Sequence, residues 1–269
     1  MKRGQSNSQR IIIGGVVDTR NLESFYKNIN CEEKKFDNYI IAYLDFLGFA
    51  EKMKEEHSFE SLQKLKLLLK GAESVADSIS SANKINDFDI KIFSDNVVIA
   101  QKIESSNLSN QITCLINLIG SIQLHALIYF DFLIRGGITI GELFIDSTVV
   151  WGTGLIEAYS IENSLANYPR ILLSSKLLKE YDSCVHTLNL YAFIKEDFDG
   201  FWFIDFLVFA PNITLIPSIA ERLHEIVAHY VEKPEKVKQK INWIISYFNA
   251  VCDKHRNRGD FVKCKLPFI

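Results

Sequence analysis

The sequence predicts an α+β domain of ferredoxin-like βαββαβ order, built on an antiparallel sheet and followed by helices at the C-terminus. Three observations lead there. The stretch "NYIIAYLDF" from Asn38 is β-branched and aromatic with no helical period, so it reads as a buried strand. Two further apolar runs flank Ser94-Asp95-Asn96, residue types that favour a tight turn, and together read as a β-hairpin. A segment of helical spacing lies between the strand and the hairpin, and a second one follows the hairpin.

The elements follow in order. "MKRGQSNSQR" is polar and expected to be frayed, and "IIIGGVVD" reads as a short peripheral strand; residues 1–37 form an N-terminal extension. From Ser58, apolar residues recur at Leu62, Leu65, Leu68, Leu69, Ala72, Val75, Ala76 and Ile79, which marks an amphipathic helix. The hairpin follows, then a helix from about Leu108 to Leu127. "FLIRGGITIGELFI" reads as a long strand whose paired glycines mark a bend or a close backbone approach. "WGTG" is expected as a loop, "LIEAYSIENSLAN" as a helix, and "PRILLS" as a strand after the helix-stopping Pro169. Residues 38–210 make up the main domain. Residues 211–269 carry two helices, the second opened by Pro234, with a stripe of Val237, Ile241, Ile244, Ile245, Phe248, Val251 and Cys252. They are expected to pack on the core rather than to carry chemistry.

Composition narrows the function. With 48% hydrophobic residues and 5 prolines in 269, the chain can bury a large core. A formal net charge of -3 argues against a nucleic-acid partner, which calls for a basic face. The lysines at Lys233, Lys236, Lys238 and Lys240 read as a solvated helix face. Five scattered cysteines show no zinc spacing and no secretory signal precedes them, so a reducing cytoplasm is expected. The most apolar region, Leu115 to Ile134, includes Asn117, Gln123, His125 and Asp131, too many polar groups for a membrane span. The histidines share no metal spacing, and no nucleophile elbow is present.

Two aspartates stand out. Asp45 interrupts the first strand and Asp95 sits at the hairpin tip, each within an apolar run where an unpaired buried carboxylate costs several kcal/mol. A right-handed crossover sets the first two strands parallel with the third antiparallel between them, so the two carboxylates converge. Paired carboxylates suit Mg²⁺ or Mn²⁺ at a site that handles nucleotide phosphates. The backbone N–H groups of Leu47, Gly48 and Phe49, leading towards a helix, are suited to cradle a triphosphate. A helix cap for Asp45 and a turn role for Asp95 explain each residue taken singly.

"YLDFLGF" and "IFSDNVVIA" resemble the two metal-binding signatures of class III nucleotide cyclases, with Asp95 and Ala100 preserved and Ser94 where glycine is usual. "IRGGITIGELF" resembles a further strand of that family through Arg135, Gly137, Ile138 and Gly141, and "VVWGTGLIEA" its "W-G" element. The resemblance covers about Tyr39 to Ser174. It implies a cyclase core that works as a homodimer. Two divalent ions, Mn²⁺ or Mg²⁺, would be held by Asp45, Asp95 and the backbone carbonyl of Phe46.

The departures are specific. Lys91 stands at the base-reading lysine of purine cyclases, but Val149 replaces the base-reading aspartate. Ile156 and Ser160 replace the asparagine and arginine that steady the ribose and the transition state. "LIEAYSIENSLANYPRILLS" looks like bacterial pyrimidine cyclases of antiphage defence, through Tyr159, Glu162, Ala166, Tyr168, Pro169 and Arg170. That resemblance implies conversion of CTP or UTP to cyclic CMP or cyclic UMP, which signals to a separate effector. Nucleic acid and membrane are not expected as partners. Tyr43 and Lys91 are the candidate base-binding residues, and Arg170 is the candidate for the missing catalytic cation. An ion pair of Arg170 with Glu162 or Glu157 is the structural alternative. A purine cyclase, or a silent nucleotide-binding domain of the same fold, stays open at this point.

Overall fold

The computed structural model describes residues 35–49, 58–186, 188–210, 215–255 and 261–269. The expected peripheral strand "IIIGGVVD" lies outside them. The main elements are β1 (Asp37–Leu47), α1 (Ser58–Asn83), β2 (Phe88–Phe93), β3 (Asn96–Lys102), α2 (Leu108–Phe130) and β4 (Leu133–Ile145). These are followed by β5 (Val150–Trp151), α3 (Thr153–Ser164), β6 (Ile171–Leu173), α4 (Ser175–Asp182), β7 (Ile194–Glu196), β8 (Trp202–Ile204), α5 (Ile216–Ala228) and α6 (Glu235–Lys254). The strands form one mostly antiparallel sheet in the order β2-β3-β1-β4-β6-β8-β7, with β5 added onto β4.

The first four strands, in the order β2-β3-β1-β4, and the helices α1 and α2 make the ferredoxin-like βαββαβ unit. As the crossover rule requires, β3 runs antiparallel between β1 and β2. Residues of β1 alternate between the two faces. Ile40, Ala42, Leu44 and Phe46 enter the large core shared with α1 and α2, while Tyr39 and Ile41 belong to a smaller cluster under α3 with Val98, Ala100, Leu143 and Ala158. The large core holds the C-terminal helices too, through Ile219 and Leu223 of α5 and Ile241, Ile244 and Phe248 of α6.

The glycines of β4 set how closely α3 approaches. A Cβ at Gly137 would lie 2.5 Å from the Ala158 carbonyl oxygen and 2.6 Å from Ile161 Cβ. At Gly141 it would lie 2.6 Å from Gly154 Cα. Backbone approach, rather than a bend, is what these positions require.

Helix α2 is long and apolar enough to cross a bilayer, yet 78% of its most apolar stretch is buried inside the protein. Two of its polar side chains bond to backbone carbonyls there. Gln111 Nε2 donates to the Lys102 carbonyl at 2.8 Å, and Asn117 Nδ2 to the Thr113 carbonyl at 2.9 Å.

Three local expectations need correction. The hairpin turn is Ser94-Asp95, with Ser94 in the left-handed region (φ 60), and Asn96 already belongs to β3. "WGTG" is not a plain loop. Trp151 pairs with Phe144 in β5, and α3 starts at Thr153. The strands β7 and β8 add to the expected order, because three residues each are too few to show a period.

Candidate active site

Strand register brings the two aspartates together. Asp45 stands opposite Asn96 on β3, and the Phe46 N–H donates to the Asp95 carbonyl at 3.1 Å. On its other side Asp45 stands opposite Arg135 of β4. Arg135 Nε donates to Asp45 Oδ2 at 2.8 Å, and its Nη2 lies 2.7 Å from Glu162 Oε1 on α3. Arg135 therefore links the aspartate at the end of the strand to a carboxylate almost sealed beneath the helix. Burial pushes the Glu162 carboxyl up from its ordinary value; Arg135 opposes this, and the Asp45 charge adds to it.

Tyr43, two residues before Asp45 and on the same face, meets the Tyr159 ring edge-on at 5.4 Å. Its phenol is pushed up to about 12, first by burial and then by Glu162, Asp45, Tyr159 and Asp95. Tyr43 and Lys91 both stand opposite Val98, which places the two expected base-binding residues on one face across three strands. Lys91 also borders a cleft of about 240 Å³ shared with Glu73 and Asp77.

For metal binding, the donors are hard oxygens. Asp45 Oδ2 is taken by Arg135 and Asp95 Oδ1 by the Asn96 amide at 3.2 Å. The second oxygen of each carboxylate receives no hydrogen bond from the described residues. No group of three or more metal-ligating side chains exists among the described residues. The pair fits a divalent ion that completes its shell with substrate phosphates and water, not a closed protein cage.

Gly48 sits at φ 77, and a Cβ there would come within 3.2 Å of the Tyr230 hydroxyl. Phe49 is buried against Phe132. Phe49 is already helical, and residues 50–57 lie outside the described residues.

Arg170 is not brought to the pair. Its side chain is fully buried, with the guanidinium held by Asp197 and Asp199, and neither Glu162 nor Glu157 is its partner. Glu157 accepts from Thr139 Oγ1 at 2.9 Å. Arg135 and Glu162 stand in the sequence only as matched positions, with no role that the motifs alone assign. A signal is nonetheless present: an arginine in β4 that register sets opposite Asp45.

No protein-family model and no curated protein matches the sequence. Solved structures do match over most of their length. The guanylyl cyclase Cya2 is 15% identical, with 64% of this chain and 93% of that chain covered and a TM-score of 0.41. The dimeric guanylyl cyclase domain of the RhoGC fusion protein from the aquatic fungus Blastocladiella emersonii is 13% identical, covering 63% and 95%, with a TM-score of 0.43. A bacterial light-regulated adenylyl cyclase is 14% identical, covering 72% and 100%, with a TM-score of 0.39. At these values the functional conclusion has to come from the residues of the site.

Proposed function

We propose that the chain is a nucleotide cyclase that converts CTP or UTP to the 3′,5′-cyclic monophosphate and diphosphate. The juxtaposition of Asp45 and Asp95 carries this reading, because each offers one unengaged oxygen at adjoining positions of β1 and the β2–β3 turn. Bound Mg²⁺ or Mn²⁺ would lower the cost of deprotonating the ribose 3′-hydroxyl and offset charge on the phosphates. Asp45, Asp95 and the Phe46 carbonyl would hold the ions. Arg135 fixes the Asp45 carboxylate by one oxygen and leaves the other to the metal. Leu47, Gly48 and Phe49 would present backbone N–H groups to the triphosphate. Arg170 is left out of the reacting set, because two carboxylates already occupy its guanidinium.

The pyrimidine preference is supported by Val149, which cannot accept from an adenine amino group, and by the match through Tyr159, Glu162 and Tyr168 to pyrimidine cyclases. Lys91 would donate to the base carbonyl, with Tyr43 beside it under Tyr159. The same resemblance supports a product that signals to a separate effector in antiviral defence. A homodimer is supported by the apolar side chains left exposed around α3: Val149, Trp151, Ile156 and Tyr159.

The test is incubation of the purified protein with CTP, UTP, ATP and GTP plus Mn²⁺, with products resolved by mass. Cyclic CMP or cyclic UMP is expected to dominate. Faster turnover of ATP or GTP would replace the pyrimidine reading with a purine one. In Asp45→Ala and Asp95→Ala turnover should fall by more than about a hundredfold, or roughly 2.7 kcal/mol on the barrier. Activity retained in either variant would sink the metal assignment.

A further inference from the structure

We propose that a cavity at the β7 edge of the sheet, away from the Asp45–Asp95 site, binds a nucleoside monophosphate. The cavity measures about 490 Å³ and lies between β7, the 3-10 turn Phe206–Phe209 and the last turns of α6. Strand β7 is four strands from β1 in the sheet, about 19 Å at the usual strand spacing. Binding there does not depend on turnover at Asp45 and Asp95.

The lining is basic. Lys195, Lys254 and His255 face it, against one carboxylate, Asp205. Lys254 stands in the last turn of α6, where the helix carbonyls favour a cation. Lys195 on β7 is a further charge that the helix end does not require. Its Nζ sits 5.8 Å from the centre of the Tyr247 ring, and Tyr247 is itself buried. Among the described residues neither lysine forms a salt bridge, whereas Lys102 reaches Asp37 at 2.6 Å and Lys265 reaches Asp253 at 2.5 Å. Two unmated ammonium groups at one cavity suit a phosphate, which lysine meets as a compact point charge.

The remaining side chains extend the match beyond a bare phosphate. The Tyr247 hydroxyl donates to Asp205 Oδ1 and accepts from the Leu207 N–H at 3.1 Å. The other Asp205 oxygen receives no hydrogen bond from the described residues, so it is open to a hydroxyl or amino group of a ligand. Tyr191 and Val208 line the same cavity while 41% and 43% exposed, which offers an apolar wall to a flat ring. Phosphate at the lysines, ribose or base donors at Asp205 and a ring on the apolar wall are the parts of a nucleoside monophosphate. The volume falls in the usual range for small-molecule sites. The sequence does not announce this site, because β7 and the turn after β8 are too short to show a period. The stripe of α6 reports only that the helix packs on the core.

The test uses the full chain in EDTA, so that nucleotide held through divalent ions at Asp45 and Asp95 does not contribute. Binding of 5′-CMP, 5′-AMP, cyclic CMP and inorganic phosphate is measured by calorimetry and by the shift in melting temperature. At least one of the three nucleotides should bind in the millimolar range or tighter, more tightly than inorganic phosphate, and raise the melting temperature. Tighter binding of cyclic CMP than of 5′-CMP would identify a cyclic nucleotide as the occupant, and the reverse a 5′-nucleotide. The double variant Lys195→Gln/Lys254→Gln should weaken binding about tenfold or more, as expected for lost charged contacts. Ala250→Trp, which fills the cavity from an exposed position of α6, should abolish it, and Asp45→Ala should leave it unchanged. All three positions in the cavity variants are exposed, so these changes leave the fold intact. No binding by any of the nucleotides, equal affinity for inorganic phosphate, or binding that the cavity variants do not alter overturns the proposal.

Discussion

Arg135 and Arg170 stand at the same level of neighbouring chain segments, since Gly136 pairs with Ile171, and each arginine is flanked by two carboxylates. Their surroundings differ. The Arg135 side chain is 21% exposed, and its partners grade from Asp45 at 15% to Glu162 at 4%. Arg170 is 0% exposed. Its guanidinium carbon lies 5.2 Å from the Tyr168 ring centre, 6.0 Å from Phe198 and 5.9 Å from Trp243. Enclosing a guanidinium in this way costs several kcal/mol, offset by the paired carboxylates and the ring faces. Trp243 shares Asp197 with it, so the cage ties the start of β6, the β7–β8 turn and α6 together. One arginine closes a structural joint. The other holds a carboxylate at the open edge of a site and leaves it an oxygen to use.

Substitutions should separate the two. Arg170→Ala strands Asp197 and Asp199 and should lower stability by about 3–5 kcal/mol in urea unfolding. Arg135→Ala should cost about 1–2 kcal/mol, because the side chain it removes is partly solvated, leaves no sealed cavity, and Glu162 can take up a proton. Its effect on turnover should be the larger one per unit of stability lost. Equal stability losses would erase the contrast.

Gly137→Ala changes no charge but forces a methyl group against Ala158 and Ile161, which lifts the helix that carries Glu162 and Tyr159. Overpacking of this kind should cost about 1–3 kcal/mol and reduce turnover as well. Full activity in that variant would mean that the position of α3 does not matter to the site.

The smallest effect concerns pH. The folded-state pKa of Glu162 is raised above its ordinary value of 4.5, so the folded chain keeps this proton at a pH where the unfolded chain has lost it. Its contribution to stability is greatest below the ordinary carboxylate range and falls as pH rises through the raised folded value. Glu162→Gln lacks this titration. The stability of wild type relative to Glu162→Gln should therefore decline as pH rises above about 4.5, the ordinary glutamate value. A difference that stays flat or rises would show that Arg135 outweighs burial.

Much of the site is legible in short stretches of sequence. The strand around Asp45 and the Ser-Asp turn of Asp95 are local signals, and the right-handed crossover brings them side by side. The glycines of β4 signal close approach, and the contacts with α3 supply the reason. Arg170 is harder to read. In sequence it stands within a helix-to-strand stretch beside Glu162 and Glu157, yet its partners are Asp197 and Asp199, in a hairpin turn between strands of three residues each. Nothing periodic announces a turn of that kind.

By itself, the sequence determined the order of strands and helices from β1 to β6 and set Asp45 at the end of β1 beside the turn that carries Asp95. Burying one face of each element imposes the two-residue and 3.6-residue repeats, and chirality then allows few ways to join them. Only the tertiary structure decided which cation meets which carboxylate. Ion pairing depends on a few ångströms between side chains distant in the chain. Strand register set Arg135 on Asp45, and the β7–β8 turn enclosed Arg170.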